Sequence, residues 1–522
     1  MARSVVTLFR TVRINGKPAL RQDMHAARAW IVYLKFMKPI RRALTALAAR
    51  PRPYSMWVRA GSSPNRWRYW LRLGESSASE HQINCRRCFI SVYKLLDRKM
   101  QIMRVISPFS FALVLGLSAI NAVAAEQVVP PAGYTLERAV LVMRHGVRPP
   151  TKSAQAMASL SDQAWPDDAA WGAAPGELTP HGGLAIRKMG SDLRDFYVGA
   201  GLLPALGSIA DQTLIWADSA DQRTRATGQM LALGLSGNAT QPISVGWSAN
   251  HTDPLFHGLD EKTCPLDPAA EQQAILAQGP LDTPETRSAL TRLQAILAPQ
   301  ACQGSAGACL EGPGKLTAGS GEVKISGPLS IGATVSEVLL LEYENGLPMS
   351  QVGFGRASRA DIEQLQSIHE HTANLTRRTP YIATRRAYAL AQFILAALSE
   401  NNVNSTVPTI NAAQRLIVLA GHDTNLSNLA GVFGLDWHMP DQPDVTAPGT
   451  VIAFERWREN TTGKTLLRMR LFYQNMEQVR NLSDSPARQI PLQPAACRDS
   501  DNCALSHVVS EVKAILPKDC AK

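Results

Sequence analysis

Three short apolar runs, each ending in a polar loop, constrain the fold of this chain more than any other feature. Ala139 to Met143 runs into Arg144-His145-Gly146. Thr213 to Ala217 runs into Asp218 and then Asp221-Gln222-Arg223-Thr224-Arg225, and Leu416 to Ala420 runs into Gly421-His422-Asp423-Thr424. A helical pattern follows each loop. Near-continuous apolar runs fit strands buried on both faces, as in a parallel sheet with helices above and below. In such α/β sheets ligands sit beyond the carboxyl ends of the strands, and all three polar loops fall at that end. From about 261 to 377 the pattern changes to amphipathic stretches such as Thr286 to Leu297 and Ile362 to Leu375, with a Gly/Ser-rich stretch from Gln303 to Gly307. This segment reads as a smaller, mainly helical insertion domain, 261–377. The α/β catalytic domain is then expected to comprise 126–260 and 378–522.

The 522 residues allow two to four domains. With 45% hydrophobic and 19% charged residues the chain is neither disordered nor collagen-like, and 33 prolines exclude one long coiled coil. A formal net charge of +11 would suggest nucleic acid or a membrane surface as partner, but its placement argues otherwise. Residues 1–100 carry 21 Lys/Arg against 4 Asp/Glu, whereas residues 101–522 carry 33 against 39. All of the positive excess lies in the first fifth, so no nucleic-acid partner is expected for the rest.

No helical or strand period persists through residues 1–99, and a leader-like pattern follows. Lys99, Met100, Met103 and Arg104 precede an uncharged stretch from Val105 to Ala125 that is strongly apolar from Phe109 to Ile120. It ends with Ala122 and Ala124 in a small-x-small arrangement. Charged, apolar and cleavage regions in this order describe a signal peptide, 100–125, with residues 1–99 a disordered upstream extension. The same stretch is long enough to span a bilayer, so a second reading is a signal anchor with the basic segment kept cytoplasmic, engaging nucleic acid or anionic lipid. The cleavage site favours the first reading: no stable membrane anchor, and a periplasmic or secreted protein from residue 126. Six of the eight cysteines, Cys264, Cys302, Cys309, Cys497, Cys503 and Cys520, lie after the leader. An oxidising compartment lets them pair, and spacing alone leaves fifteen connectivities open.

The string Arg144-His145-Gly146-Val147-Arg148-Pro149-Pro150-Thr151-Lys152 carries the most chemistry. It places a histidine at a strand end between two arginines, and guanidinium groups match phosphate geometry through paired N–H donors. Cationic neighbours should lower the imidazole's pKa and keep it neutral, as a nucleophile requires. Arg223 adds a further guanidinium. Asp423, beside His422 at another strand end, can protonate a leaving oxygen. No H-E-x-x-H or EF-hand spacing occurs, and neither a metal nor another cofactor is expected.

On these motifs the chain from about 133 to 522 resembles the histidine acid phosphatases, most closely their bacterial periplasmic phytases. The R-H-G-x-R-x-P pattern matches Arg144 to Pro150, and the H-D pair matches His422 and Asp423. Lesser matches are Leu178-Thr179-Pro180 with Gly182, Asp253-Pro254-Leu255-Phe256, and Phe454-Glu455-Arg456-Trp457. The resemblance implies a phosphoglycerate-mutase-like fold: a doubly wound, mainly parallel α/β sheet with an inserted smaller α-helical domain. It implies His145 as a nucleophile that becomes phosphohistidine, and Asp423 as general acid. Arg144, Arg148, Arg223 and His422 would bind phosphate, an electrostatic role. Thr151, Lys152, Glu337, His369 and Thr424 would bind the remaining substrate. The implied substrate is inositol hexakisphosphate, the alternative being a glucose-1-phosphatase or a broad-specificity acid phosphatase. The resemblance further selects the disulfides Cys302–Cys309, Cys497–Cys503 and Cys264–Cys520. It implies a monomer acting on a small phosphate ester.

Overall fold

The computed structural model describes residues 132–237, 241–258, 264–319, 322–404, 406–498 and 503–520. It also describes the backbone of four earlier strands in two antiparallel pairs, Arg13–Ile14 with Lys17–Pro18 and Ser55–Ala60 with Trp67–Arg72. The expected leader at 100–125 and the remainder of residues 1–99 lie outside the described residues. The chain divides into two compact units, Met1–Ala122 and Val123–Lys522, and all elements named from here on belong to the second.

The first part of this unit runs β1 (Tyr134–Arg144), α1 (Pro180–Gly199), β2 (Thr213–Ala217), α2 (Gln222–Ser236) and β3 (Val245–Trp247). A mainly helical stretch follows: α3 (Pro268–Gln278), α4 (Pro284–Leu297), the hairpin β4 (Lys315–Ala318) and β5 (Val323–Ser326), α5 (Pro328–Glu344), and α6 (Arg359–Ala373). The chain then returns through α7 (Pro380–Arg386), α8 (Tyr388–Ser399), β6 (Leu416–Gly421), α9 (Asp423–Phe433), β7 (Val451–Glu459), β8 (Thr465–Tyr473), β9 (Arg488–Leu492) and α10 (Leu505–Ile515).

The seven-stranded sheet has the order β9-β8-β7-β1-β6-β2-β3. β1, β6, β2 and β3 are mutually parallel, and β7, β8 and β9 extend the β1 edge in antiparallel fashion. The three apolar runs are thus the adjacent strands β1, β6 and β2. Alternate β1 side chains enter opposite cores. Val140 and Val142 join Phe393, Leu426 and Phe454 on one face. Ala139, Leu141 and Met143 join Ile186, Leu193 and Leu231 on the other. Helices therefore cover both faces, which is why these runs are apolar at consecutive positions. Leu290, Leu293, Leu339, Leu365 and Ile368 form a separate apolar cluster in the helical stretch, and the β4–β5 hairpin is its one departure from the helical expectation. Cys302–Cys309, Cys497–Cys503 and Cys264–Cys520 are disulfide-bonded. Among the described residues, no helix is long and apolar enough to cross a membrane.

Two acids inside α5 give the fold a pH dependence. Glu342 and Glu344 are fully buried. Burial pushes both carboxyl groups up to about 8, although Gly353 N–H donates to the first and the Gln442 amide to the second. An unfolded glutamate loses its proton near pH 4.3. Between there and pH 8 the folded chain holds protons that the unfolded chain has released, so stability falls as pH rises through that window. The thermal midpoint should therefore be higher at pH 5 than at pH 8. Glu342→Gln and Glu344→Gln should flatten that slope, and an unchanged slope in both variants would refute the assignment.

Candidate active site

Arg144 is the last residue of β1, and its neighbours pin the turn that follows. His145 N–H donates to Gly421 O at 2.9 Å, Gly146 N–H to Thr227 Oγ1 at 3.1 Å, and Gly449 N–H to His145 O at 3.1 Å. The end of β1 is thereby tied to β6, α2 and the loop before β7. A side chain on Gly146 would meet Ile186 and Leu178 at 2.8 Å, and one on Gly182 would meet the Val147 backbone at 2.5 Å. The Leu-Thr-Pro-x-Gly element is therefore packing for this turn. Thr179 caps α1 through Gly182 N–H, and its own N–H donates to Val147 O at 3.0 Å. In the same way Phe256 lies where a side chain on Gly421 would go, and its carbonyl accepts from Asn425 at 3.1 Å. Glu455 of the Phe-Glu-Arg-Trp element instead bonds Arg470, Trp457 and Tyr197 in the middle of the sheet, which makes it a structural feature.

The turn orients a buried imidazole. His145 Nδ1 lies 2.8 Å from Gly146 O. A carbonyl only accepts, so Nδ1 carries the proton and Nε2 the lone pair. Burial, then Arg223, Arg148, Arg144 and His422, hold its pKa well below the ordinary histidine value, which favours the neutral ring. The His422 ring stands edge-on to it with centroids 5.6 Å apart.

Charges around this ring are paired within the protein. Arg144 is fully buried, donating from Nη1 to Asp444 and to Thr446 O at 2.7 Å and from Nη2 to Glu337. Arg148 reaches Glu337 at 3.3 Å, and Arg223 reaches Asp221 at 2.7 Å. Three donors remain: Nε of Arg144, of Arg148 and of Arg223 is each buried without a partner. Leaving a buried donor unmade costs about 1–3 kcal/mol.

Asp423 is the first residue of α9. Burial favours its neutral form, but Arg377, Arg144 and His369 outweigh that and hold the carboxyl well below its usual range. Arg377 is its direct ion-pair partner. Asp218 Oδ2 accepts from His422 Nε2 at 2.7 Å and from His257 Nε2 at 2.8 Å. Burial raises its pKa, yet these two bonds and charges leave it well below the ordinary aspartate value. Asp218, His257 and His422 thus form one hydrogen-bonded group, with Asp218 and His422 buried and His257 half-buried.

The structure gathers His145, Arg144, Arg148, Arg223, His422 and Asp423 at adjacent strand ends. Glu337, on α5, bridges Arg144 and Arg148, which hold its pKa down at about 2 against the opposing effect of burial. His369, on α6, donates through Nδ1 to Ala333 O at 3.2 Å, and its Nε2 has no described partner. Thr424 is half-buried beside Asp423, and Thr151 and Lys152 are exposed on the rim. Lys152 there lines a cleft with Pro149, Pro150, Trp165, Trp171 and Glu342. Sequence reasoning assigned no role to Asp218, His257, Arg377 or Asp444. Only Asp218 had a visible signal, its place directly after β2.

The profile of the histidine phosphatase superfamily (branch 2) matches residues 135–472. Phytase AppA of Escherichia coli K12 is 33% identical over 388 residues, covering 70% of this chain and 87% of that protein. A glucose-1-phosphatase of Salmonella typhimurium is 25% identical over 378 residues, covering 70% and 89%. Among solved structures, Hafnia alvei phytase in complex with tartrate superposes with a TM-score of 0.69 at 31% identity, covering 75% of this chain and all of that one. The chain carrying this buried histidine and its ring of guanidinium groups belongs to the histidine phosphatase superfamily, branch 2.

Proposed function

We propose that this chain is an exported phosphomonoester hydrolase acting on inositol hexakisphosphate through a phosphohistidine intermediate. The observation that carries the reading is the buried His145, tethered through Nδ1 to Gly146 O, with Arg223, Arg148, Arg144 and His422 as its charged neighbours. In the first step His145 Nε2 attacks phosphorus, the P–O bond to the alcohol breaks, and Asp423 gives its proton to the leaving oxygen. In the second step the Asp423 carboxylate takes a proton from water as the water oxygen attacks phosphorus, and the breaking P–N bond releases phosphate and restores both the imidazole and the acid. Arg144, Arg148, Arg223 and His422 hold the phosphoryl oxygens and stabilise the charge that builds there. Because Asp423 must be protonated to act, turnover belongs at acidic pH.

The substrate assignment is supported by the similarity to phytases and by Thr151 and Lys152, exposed just after the Arg144–Pro150 turn. The glucose-1-phosphatase relative supports the second reading, a glucose-1-phosphatase or broad acid phosphatase. Three disulfides support export. One preparation tests both points: protein expressed from Met103 with its leader and recovered outside the cytoplasm. Its N-terminus is expected at Ala125 or Glu126. Its kcat/KM is expected to be highest on inositol hexakisphosphate, ahead of glucose 1-phosphate and an aryl phosphate. A clear preference for glucose 1-phosphate would discard the phytase reading, and a recovered protein that still begins at Met103 would discard leader cleavage.

A further inference from the structure

Asp423 meets charged groups from every element packed around it: Arg377, Arg144 at the end of β1, Arg223 on α2, Glu337 on α5 and His369 on α6, with His422 preceding it in the chain. Arg377 differs from the other arginines in how it is held. Arg144 is bound by Asp444, Thr446 O and Glu337, Arg148 by Pro149 O and Glu337, and Arg223 by Gly176 O and Asp221. Among the described residues Arg377 hydrogen-bonds to Asp423 alone, and its side chain is 26% exposed. It therefore has donors to spare and room to swing.

The backbone explains how it gets there. After α6 the helix continues as a π-turn, Asn374–Arg378, a local widening that recurs at functional sites. The turn sends two consecutive arginines in opposite directions. Arg378 binds Asn374 Oδ1 at 3.2 Å and Asp436 at 3.4 Å and lies over the Trp437 ring at 5.4 Å. Arg377 reaches into the site.

We propose that Arg377 is a displaceable clamp on the general acid: its guanidinium holds Asp423 as a carboxylate, and an arriving phosphoryl group draws it onto phosphate oxygens. Asp423, relieved of its cation and now facing an anion, then takes a proton from solvent, so that the acid is armed by the substrate it will serve. Arg377 is a positioning residue in this scheme, and the inference rests on the phosphohistidine reading with Asp423 as general acid.

The test is a pair of pH profiles on glycerol 2-phosphate, whose aliphatic leaving alcohol needs a general acid, for the wild type and for Arg377→Gln, Arg377→Met and Arg377→Lys. The alkaline limb of kcat/KM reports groups of the free protein and free substrate, and that of kcat reports the complex. Substrate ionisation enters every variant equally, so differences belong to the protein. Removing the cation raises the carboxyl pKa. Arg377→Gln and Arg377→Met should therefore move the alkaline limb of kcat/KM up by about one pH unit and that of kcat by less than half as much. Arg377→Lys should follow the wild type. Superposable limbs in an active wild type and both neutral variants would overturn the clamp alone, and so would a shift in Arg377→Lys as large as in Arg377→Gln. A wild type with no turnover on any phosphomonoester would overturn the phosphatase reading with it.

Discussion

Replacing His145 with alanine should lower turnover of an aryl phosphate by about 10⁵-fold, the scale on which enzymes lose rate when a covalent nucleophile is deleted. The acid-labile phosphoenzyme seen after rapid mixing should vanish together with the burst of phenol. The size of the effect follows from the geometry. His145 Nδ1 is tied to Gly146 O, so only Nε2 can attack, and among the described residues no second imidazole has both that tether and the same set of guanidinium neighbours. His422, 5.6 Å away between centroids, is bound through Nε2 to Asp218 and cannot substitute. The fold should survive, since His145 is held through backbone bonds that alanine keeps. A variant with near-normal thermal midpoint and retained burst would remove His145 from the mechanism. Glutamine at the same position offers a check, because it keeps the volume and a polar tip without a phosphorylatable nitrogen.

How much of this could be read from the chain depends on which interactions are local. The strands β1, β2 and β6 were legible because burial on both faces demands consecutive apolar residues, which few other elements tolerate. Arg144, His145, Arg148, His422 and Asp423 were legible because they sit directly at the ends of those strands. Arg377 was not. Arg377 and Arg378 are indistinguishable in sequence, and only the π-turn decides which one enters the site. Asp444 was hidden for a similar reason. It lies in the loop between α9 and β7, 300 residues from the Arg144 it binds, and a pairing over that separation leaves no local pattern. His257 follows the Asp-Pro-Leu-Phe element that packs on Gly421, so its approach to Asp218 is a consequence of tertiary packing. The β4–β5 hairpin escaped notice because its alternation, Lys-Leu-Thr-Ala and Val-Lys-Ile-Ser, runs for only four residues in each strand.

Asp423→Asn tests the other half of the mechanism, and its effect should depend on the leaving group. General acid catalysis contributes about 10²–10⁴-fold, but only where the departing oxygen is too basic to leave as an anion. On inositol hexakisphosphate, whose leaving group is an aliphatic alcohol, the variant should lose about that much in kcat. On p-nitrophenyl phosphate, whose leaving group departs readily as an anion, the loss should be at least tenfold smaller. The alkaline limb belonging to Asp423 should also disappear from both profiles. The substitution is nearly isosteric and removes a carboxylate paired with Arg377, so it frees that guanidinium for the phosphoryl oxygens, and KM for either substrate should not rise. Equal losses on the two substrates would mean that Asp423 acts by holding charge or geometry rather than by giving up a proton. The protonation chemistry would then have to come from water. The comparison is informative because Arg377, Arg144 and His369 hold Asp423 in its ionised form. A group held that way can act as an acid only if substrate binding changes its electrostatic surroundings, and a leaving-group-dependent loss is the signature that the change takes place.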